Sequence, residues 1–210
     1  MSHSLLQVRR WFRGVGVAML VLEFGLVPRH AQAQHGGGGA PTALVPPAEA
    51  AQFGFLVGQW EVTAKPKATT LAQRLHGVKA VTGTWKAWRA LDGWGLEDEL
   101  RLTDASGNPL LLTHTMRYYD RGARRWTNAA IDVYKGVSAQ STAVWRGAEM
   151  TISGGGIDDQ GRTYVSRATF SKITASSFAY RLDRSFDAGK TWTDGVTIIS
   201  ATRVAATAPR

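Results

Sequence analysis

The segment PLLLTHTMRYY (109–119) sets a histidine in a β-like stretch whose side chains alternate between two faces. One face carries Leu110, Leu112, His114, Met116 and Tyr118, and the other carries Leu111, Thr113, Thr115, Arg117 and Tyr119. The first face reads as the inward one, which would place His114 among apolar neighbours in a cavity. Such a histidine could ligate haem. With Glu99 or Asp132 as acid–base partner it could carry isomerase or lyase chemistry. It equally fits a cavity histidine held by one hydrogen bond. A second alternating stretch, GWGLEDELRL (93–102), separates Leu96, Asp98, Leu100 and Leu102 from Glu97, Glu99 and Arg101. The charged set is either a solvated outer face or, in a polar cavity, the pair Glu99 and Arg101 orienting a ligand's head. In RWTNAAIDVY (125–134), Trp126, Asn128, Asp132 and Tyr134 share one parity, so Asn128 lies inside if Trp126 does. The candidate ligand-binding set is therefore His114, Met116, Tyr118, Trp126 and Asn128, with Glu99 and Arg101 at a polar end.

Other chemistries find no support, and no residue is assigned as catalytic. Gly-x-Ser-x-Gly and phosphate-loop patterns are absent. The run SGGGID (153–158) precedes no helix and reads as a loop rather than a nucleotide cradle. Glu97 and Glu99 would stand roughly 7 Å apart on one strand, but no cleft separates them as glycoside hydrolysis requires. His76 and His35 fall outside the strand-like runs, so no metal trio is expected.

The elements that must hold these residues are strands. From Gly58 to Arg203 the dominant period is two, in ten runs separated by turn sequences such as DASGN, DRGAR and DAGK. Strands joined by tight turns form an antiparallel meander, and closing it removes the exposed edges. The expected fold is all-β, a closed or nearly closed up-and-down barrel of about ten strands. PAEAAQFGFLVG (47–58) would add a short helical turn plugging one end, and KPKATTLAQRLHG (65–77) a small lid.

The start of the chain reads as a signal peptide over residues 1–33: Arg9, Arg10 and Arg13, the mostly apolar run Gly14–Val27, then Ala31 and Ala33 before cleavage. That run has 14 residues, short of the ~20 that a bilayer span needs, so no stable membrane span is expected after cleavage. VRRWFR resembles a twin-arginine export signal, departing from it at Val8 and Arg13. The expected location is periplasmic or secreted, by either export route. Residues 34–51 read as a disordered Gly/Pro-rich leader, 52–204 as the barrel domain and 205–210 as a flexible tail. Cysteine is absent, so the barrel can use no disulfide. Of 25 basic and 16 acidic residues, four and one lie in 1–33, leaving 21 and 15, a net +6. The basic residues are scattered, so nucleic acid is not an expected partner.

Two resemblances refine this reading. Ser185, Asp187, Gly189, Thr191 and Trp192 have the Ser-x-Asp-x-Gly-x-Thr-Trp spacing and resemble the Asp-box of sialidases. There the box is repeated over propeller blades, remote from the chemistry; here it occurs once, in a chain too short for a propeller. It is expected to be a hairpin device: Asp187 bonds turn amides, Gly189 takes positive φ, Ser185 and Thr191 pair across the strands and Trp192 covers the bend. FGFLVGQWEV (53–62), with Gly58 and Trp60 on the first strand, resembles the entry of calycins, the lipocalin and fatty-acid-binding group. The resemblance implies that Trp60 closes the bottom of the barrel. Together with YYDRGARRW (118–126) and SFDAGKTW…ATR (185–203), this stretch resembles a family of small exported bacterial proteins catalogued as a domain of unknown function. A related barrel group binds haem through one interior histidine, but its glycine-rich signature is missing after Trp60. The function expected is the binding of a small, mostly apolar ligand inside the barrel. The alternatives are an enzyme using His114, or a structural barrel without a ligand.

Overall fold

Tight, polar turns leave the chain one economical course, a sheet that curls until its edges meet. A computed structural model describes residues 44–68, 71–79 and 81–205. The signal-peptide and tail readings, and most of the leader, lie outside these residues. Ten antiparallel strands follow one another: β1 (Gly58–Pro66), β2 (Val81–Ala90), β3 (Gly95–Thr103), β4 (Pro109–Asp120), β5 (Arg125–Asp132), β6 (Val137–Arg146), β7 (Glu149–Ile157), β8 (Thr163–Ser171), β9 (Ser177–Ser185) and β10 (Thr193–Arg203). Each pairs with its neighbour in sequence, and β1 pairs with β10 from Trp60↔Arg203 to Pro66↔Thr197, which closes the barrel. The expected all-β, up-and-down, ten-strand barrel is the observed one. A helix, α1 (Leu71–His76), lies in the connection from β1 to β2.

One end is filled. A 3₁₀ helix, Ala48–Leu56, buries Ala50, Phe53 and Leu56. The expectation of a loose leader to residue 51 is corrected, because Ala48–Ala51 open this helix. Phe53 packs edge-on against Trp126 (4.8 Å between ring centres), and Trp60 packs on Phe178 (4.8 Å). Trp60 donates its indole N–H to Leu56 O (2.7 Å), and Trp126 donates to Gln52 Oε1 (3.0 Å), so neither buried donor is left unmade. Arg203 clamps the joint. Its guanidinium lies 4.0 Å from the centre of the Trp60 ring and donates to the carbonyls of Phe55, Val57 and Ala175. Gly58 has φ 127°, and a Cβ there would collide with the Arg203 guanidinium, so only glycine fits.

The interior parity is fixed by Trp60, Val62 and Ala64 on β1, Trp85 and Ala87 on β2, and Leu96, Asp98, Leu100 and Leu102 on β3, all buried. The glycine run 154–156, expected as a loop, belongs to β7. A Cβ at Gly155 would meet the Tyr164 carbonyl at 2.6 Å, and one at Gly156 would meet the Tyr164 hydroxyl at 2.8 Å. The glycines make room for β8 and its tyrosine rather than for a turn.

Candidate functional site

Above the aromatic floor the barrel is hollow. A chamber of about 350 Å³ is walled by Leu100, Leu102, Leu111, Ile152, Leu182 and Ile199, with Trp85, Thr113, Thr115, Ser141 and Tyr180 among its other lining residues. A second cavity of about 770 Å³ shares Thr113, Ala130 and Arg184 with it and is lined by Asp132, Lys135, Ile157 and Tyr164, near the ends of their strands. The second cavity is the mouth of the first.

Polar groups in the chamber are arranged in two places. Deep inside, the Asp98 carboxylate accepts from Trp85 Nε1 (2.8 Å) and from Arg117 Nε (2.6 Å). The pair is buried on both sides, Asp98 1% and Arg117 5% exposed. The Arg117 guanidinium also lies 5.0 Å from the centre of the Phe53 ring, which ties the pair to the plug. Beside them, burial pushes the Tyr180 phenol up to about 12, against the attraction of Arg117, so it stays a neutral donor at any ordinary pH. Toward the mouth stands Arg184 on β9, with its guanidinium 4.5 Å from the Tyr164 ring centre.

Register explains why the candidate residues of β4 are elsewhere. Leu100 pairs with Thr113, Asp98 with Thr115 and Leu96 with Arg117. Directly paired residues share a face, so β4 turns Leu111, Thr113, Thr115 and Arg117 inward. The inward reading of His114, Met116 and Tyr118 is corrected: their side chains point out from the barrel wall. His114 sits 3.3 Å from Glu97 on that wall, near Trp88, and no interior haem or acid–base pair can use it from there. Glu99 and Arg101 are also outside. They bond each other at 2.6 Å in solvent, and this bond holds the Glu99 carboxyl below its usual range. Trp126 and Asn128 are inside as read, but under the chamber, outside its lining. Asn128 donates to Ser141 Oγ (3.1 Å), while its Oδ1 has no partner among the described residues. Asp132 lines the mouth, and Tyr134 is exposed in the following turn.

The residues missed were Asp98, Arg117, Tyr180 and Arg184. One signal was present. Asp98 alternates with three leucines, and an acid on an apolar face demands a cation opposite it.

The Asp-box lies in the β9–β10 hairpin, at the mouth end, yet none of Ser185–Trp192 lines either cavity. Asp187 accepts from Ser185 Oγ (2.7 Å), Thr191 N (2.8 Å) and Thr191 Oγ1 (2.7 Å). Ser185 and Thr191 were expected to pair across the strands; instead both converge on Asp187, because its carboxylate offers stronger acceptors than a second hydroxyl. Ser185 Oγ also accepts from Gly189 N (2.8 Å), and Trp192 donates to Gly189 O (3.0 Å). Gly189 has φ 91° as expected, and Ala188 shares the left-handed region at φ 57°. These bonds, the Ser185 hydroxyl first, hold the Asp187 carboxyl down at about 2.

No family model matches the chain, and comparison with curated proteins gives no significant match. Among solved structures, the chain is similar to one described as EF1p2_mFAP2b bound to DFHBI. The identity is 12% and the TM-score 0.35, over 74% of this chain and 98% of that one. Among the described residues no helix is long and apolar enough to cross a membrane, and no three His, Cys, Asp or Glu side chains are grouped to hold a metal.

Proposed function

We propose that this protein is an exported barrel that binds one small, mostly apolar molecule in its inner chamber. The observation that carries the reading is the chamber itself: about 350 Å³ with mainly aliphatic walls, floored by aromatics and reached through a wider mouth. Preformed cavities of this size and lining, with a few placed polar groups, are what small-molecule sites look like. A barrel of eight strands has room for side chains or one small ligand, and ten strands widen it. Export rests on the basic and apolar pattern of residues 1–33. The calycin-like assignment belongs to the same proposal, supported by Trp60 at the closed end.

The test is a fluorescence titration with N-phenyl-1-naphthylamine, a neutral apolar probe. Its emission is expected to rise on binding to the wild-type barrel and to stay flat with Ile152→Trp, which fills the chamber. Because added bulk can strain a core, Leu182→Phe serves as a second filling variant, and circular dichroism checks that each folds. A probe signal that survives in both folded variants would place binding outside the chamber and sink the proposal.

A further inference from the structure

We infer that two copies of this chain pair face to face through the outer wall of β2–β5, about a two-fold axis that crosses β3 at Glu99. The starting observation is an apolar face on the outside of the barrel. Leu110, Met116 and Tyr118 of β4, Ile131 of β5 and Trp88 of β2 point outward, each at least 36% exposed. Strand pairing sets Trp88, Glu97 and Met116 in one row across the wall, and Glu99, His114 and Ile131 in the next. Exposed apolar area gathered in this way marks a contact surface. It does not run round the barrel: on β8 and β9, Arg167 and Arg181 bond Asp183 on the outer wall. A lipid-facing barrel needs an apolar band on every strand, so this face suits a protein.

The charges on the face say which protein. Arg101 gives its Nε to Glu99 (2.6 Å), which leaves its two terminal nitrogens without a partner among the described residues. Glu97 pairs there only with His114, at 3.3 Å. Glu97 and Arg101 stand on the outer face of β3, each two residues from Glu99 and so about 7 Å to either side of it. A two-fold axis across the strand at Glu99 sets each Arg101 against the partner's Glu97, twice over, as an isologous contact requires. The same axis lays Met116 over the partner's Leu112. Glu99, which meets its own copy at the axis, is already neutralised by Arg101. From Leu110 to Tyr118 β4 runs ~27 Å and four strands span ~19 Å, a face of roughly 500 Å² per copy. Two such faces bury about 1,000 Å², the size of a weak, reversible dimer.

Sedimentation velocity of the exported chain, from about 1 to about 300 µM, should show monomer passing into dimer with no larger species. Glu97→Lys and Arg101→Glu each bring like charges together across the axis and should weaken the dimer at least ~10-fold. The double variant Glu97→Lys/Arg101→Glu exchanges the two charges and should return to within about threefold of wild type. Met116→Arg, at the apolar centre, should stay monomeric throughout. Circular dichroism checks that each variant folds, as substitutions on an outer wall allow. A wild type that is monomeric at every concentration overturns the inference. So does a dimer that Met116→Arg or the single charge variants leave intact, since it then forms through another face. A double variant no stronger than the singles overturns it as well, by removing the two-fold pairing. The chamber reading stands apart from all of these outcomes.

Discussion

Asp98 holds two donors, Trp85 and Arg117, in a barrel interior where neither could find water. Removing its charge strands the Arg117 guanidinium, so Asp98→Asn should destabilise the fold by about 3–5 kcal/mol in urea titration. The double variant Asp98→Leu/Arg117→Met removes both charges and should recover most of that loss. If the double variant is as unstable as the single one, the pair is not what holds these strands. The pair also explains where residue-scale reading of the sequence went astray. Apolar content suggested that the His114 face of β4 points inward, since Leu110, Met116 and Tyr118 accompany it. The interior instead accepts Arg117 because Asp98 neutralises it, and pays for this by leaving Met116 and Tyr118 outside. Counting back from the Asp104–Asn108 turn sets Asp98 opposite His114, and only the register shift between Leu102 and Thr103 moves Asp98 opposite Thr115, so neither hydropathy nor the turn alone made the correct face legible.

At the scale of elements the β9–β10 hairpin and the floor joint are the two devices to test. The Asp187 carboxyl is held down at about 2 in the folded hairpin, below the ~3.9 expected of an unfolded chain. Its contribution to stability is therefore complete above about pH 4 and is lost as pH falls through about 2. Asp187→Asn should lower the urea midpoint at neutral pH, and its deficit should close as the pH approaches 2. A deficit that stays constant to pH 2 would contradict the bonding described. At the floor, Arg203→Met removes three carbonyl contacts and the cation over Trp60, and should cost about 3 kcal/mol by the same titration. All ten strands were legible, because alternating runs and turn chemistry agree from Gly58 to Arg203. The end of β7 was not: Gly154–Gly156 read as a turn, and the reason they are strand, the backbone and hydroxyl of Tyr164 pressed against them, is a tertiary one.

The whole molecule joins a stiff closed wall to an unequal pair of ends. Phe53, Trp60, Trp126, Phe170 and Met150 are fully buried at the floor, and the chamber begins where aromatic packing gives way to Leu100, Ile152 and Ile199. Phe53→Ala should cost about 3–5 kcal/mol and loosen the plug without disturbing strand pairing, read as a lower melting temperature with unchanged far-ultraviolet dichroism. Closure and a hollow interior followed from the sequence, through the need to hide strand edges and the shortness of the turns. The lining did not, since it depends on which of two parities faces in at each strand and on ion pairs formed between strands. Native mass spectrometry of the protein purified from its own source, without organic extraction, tests the central claim most directly. The account predicts one small molecule per chain on the wild type, absent from the Ile152→Trp form purified in the same way. A bare mass for both, or the same adduct on both, would contradict it.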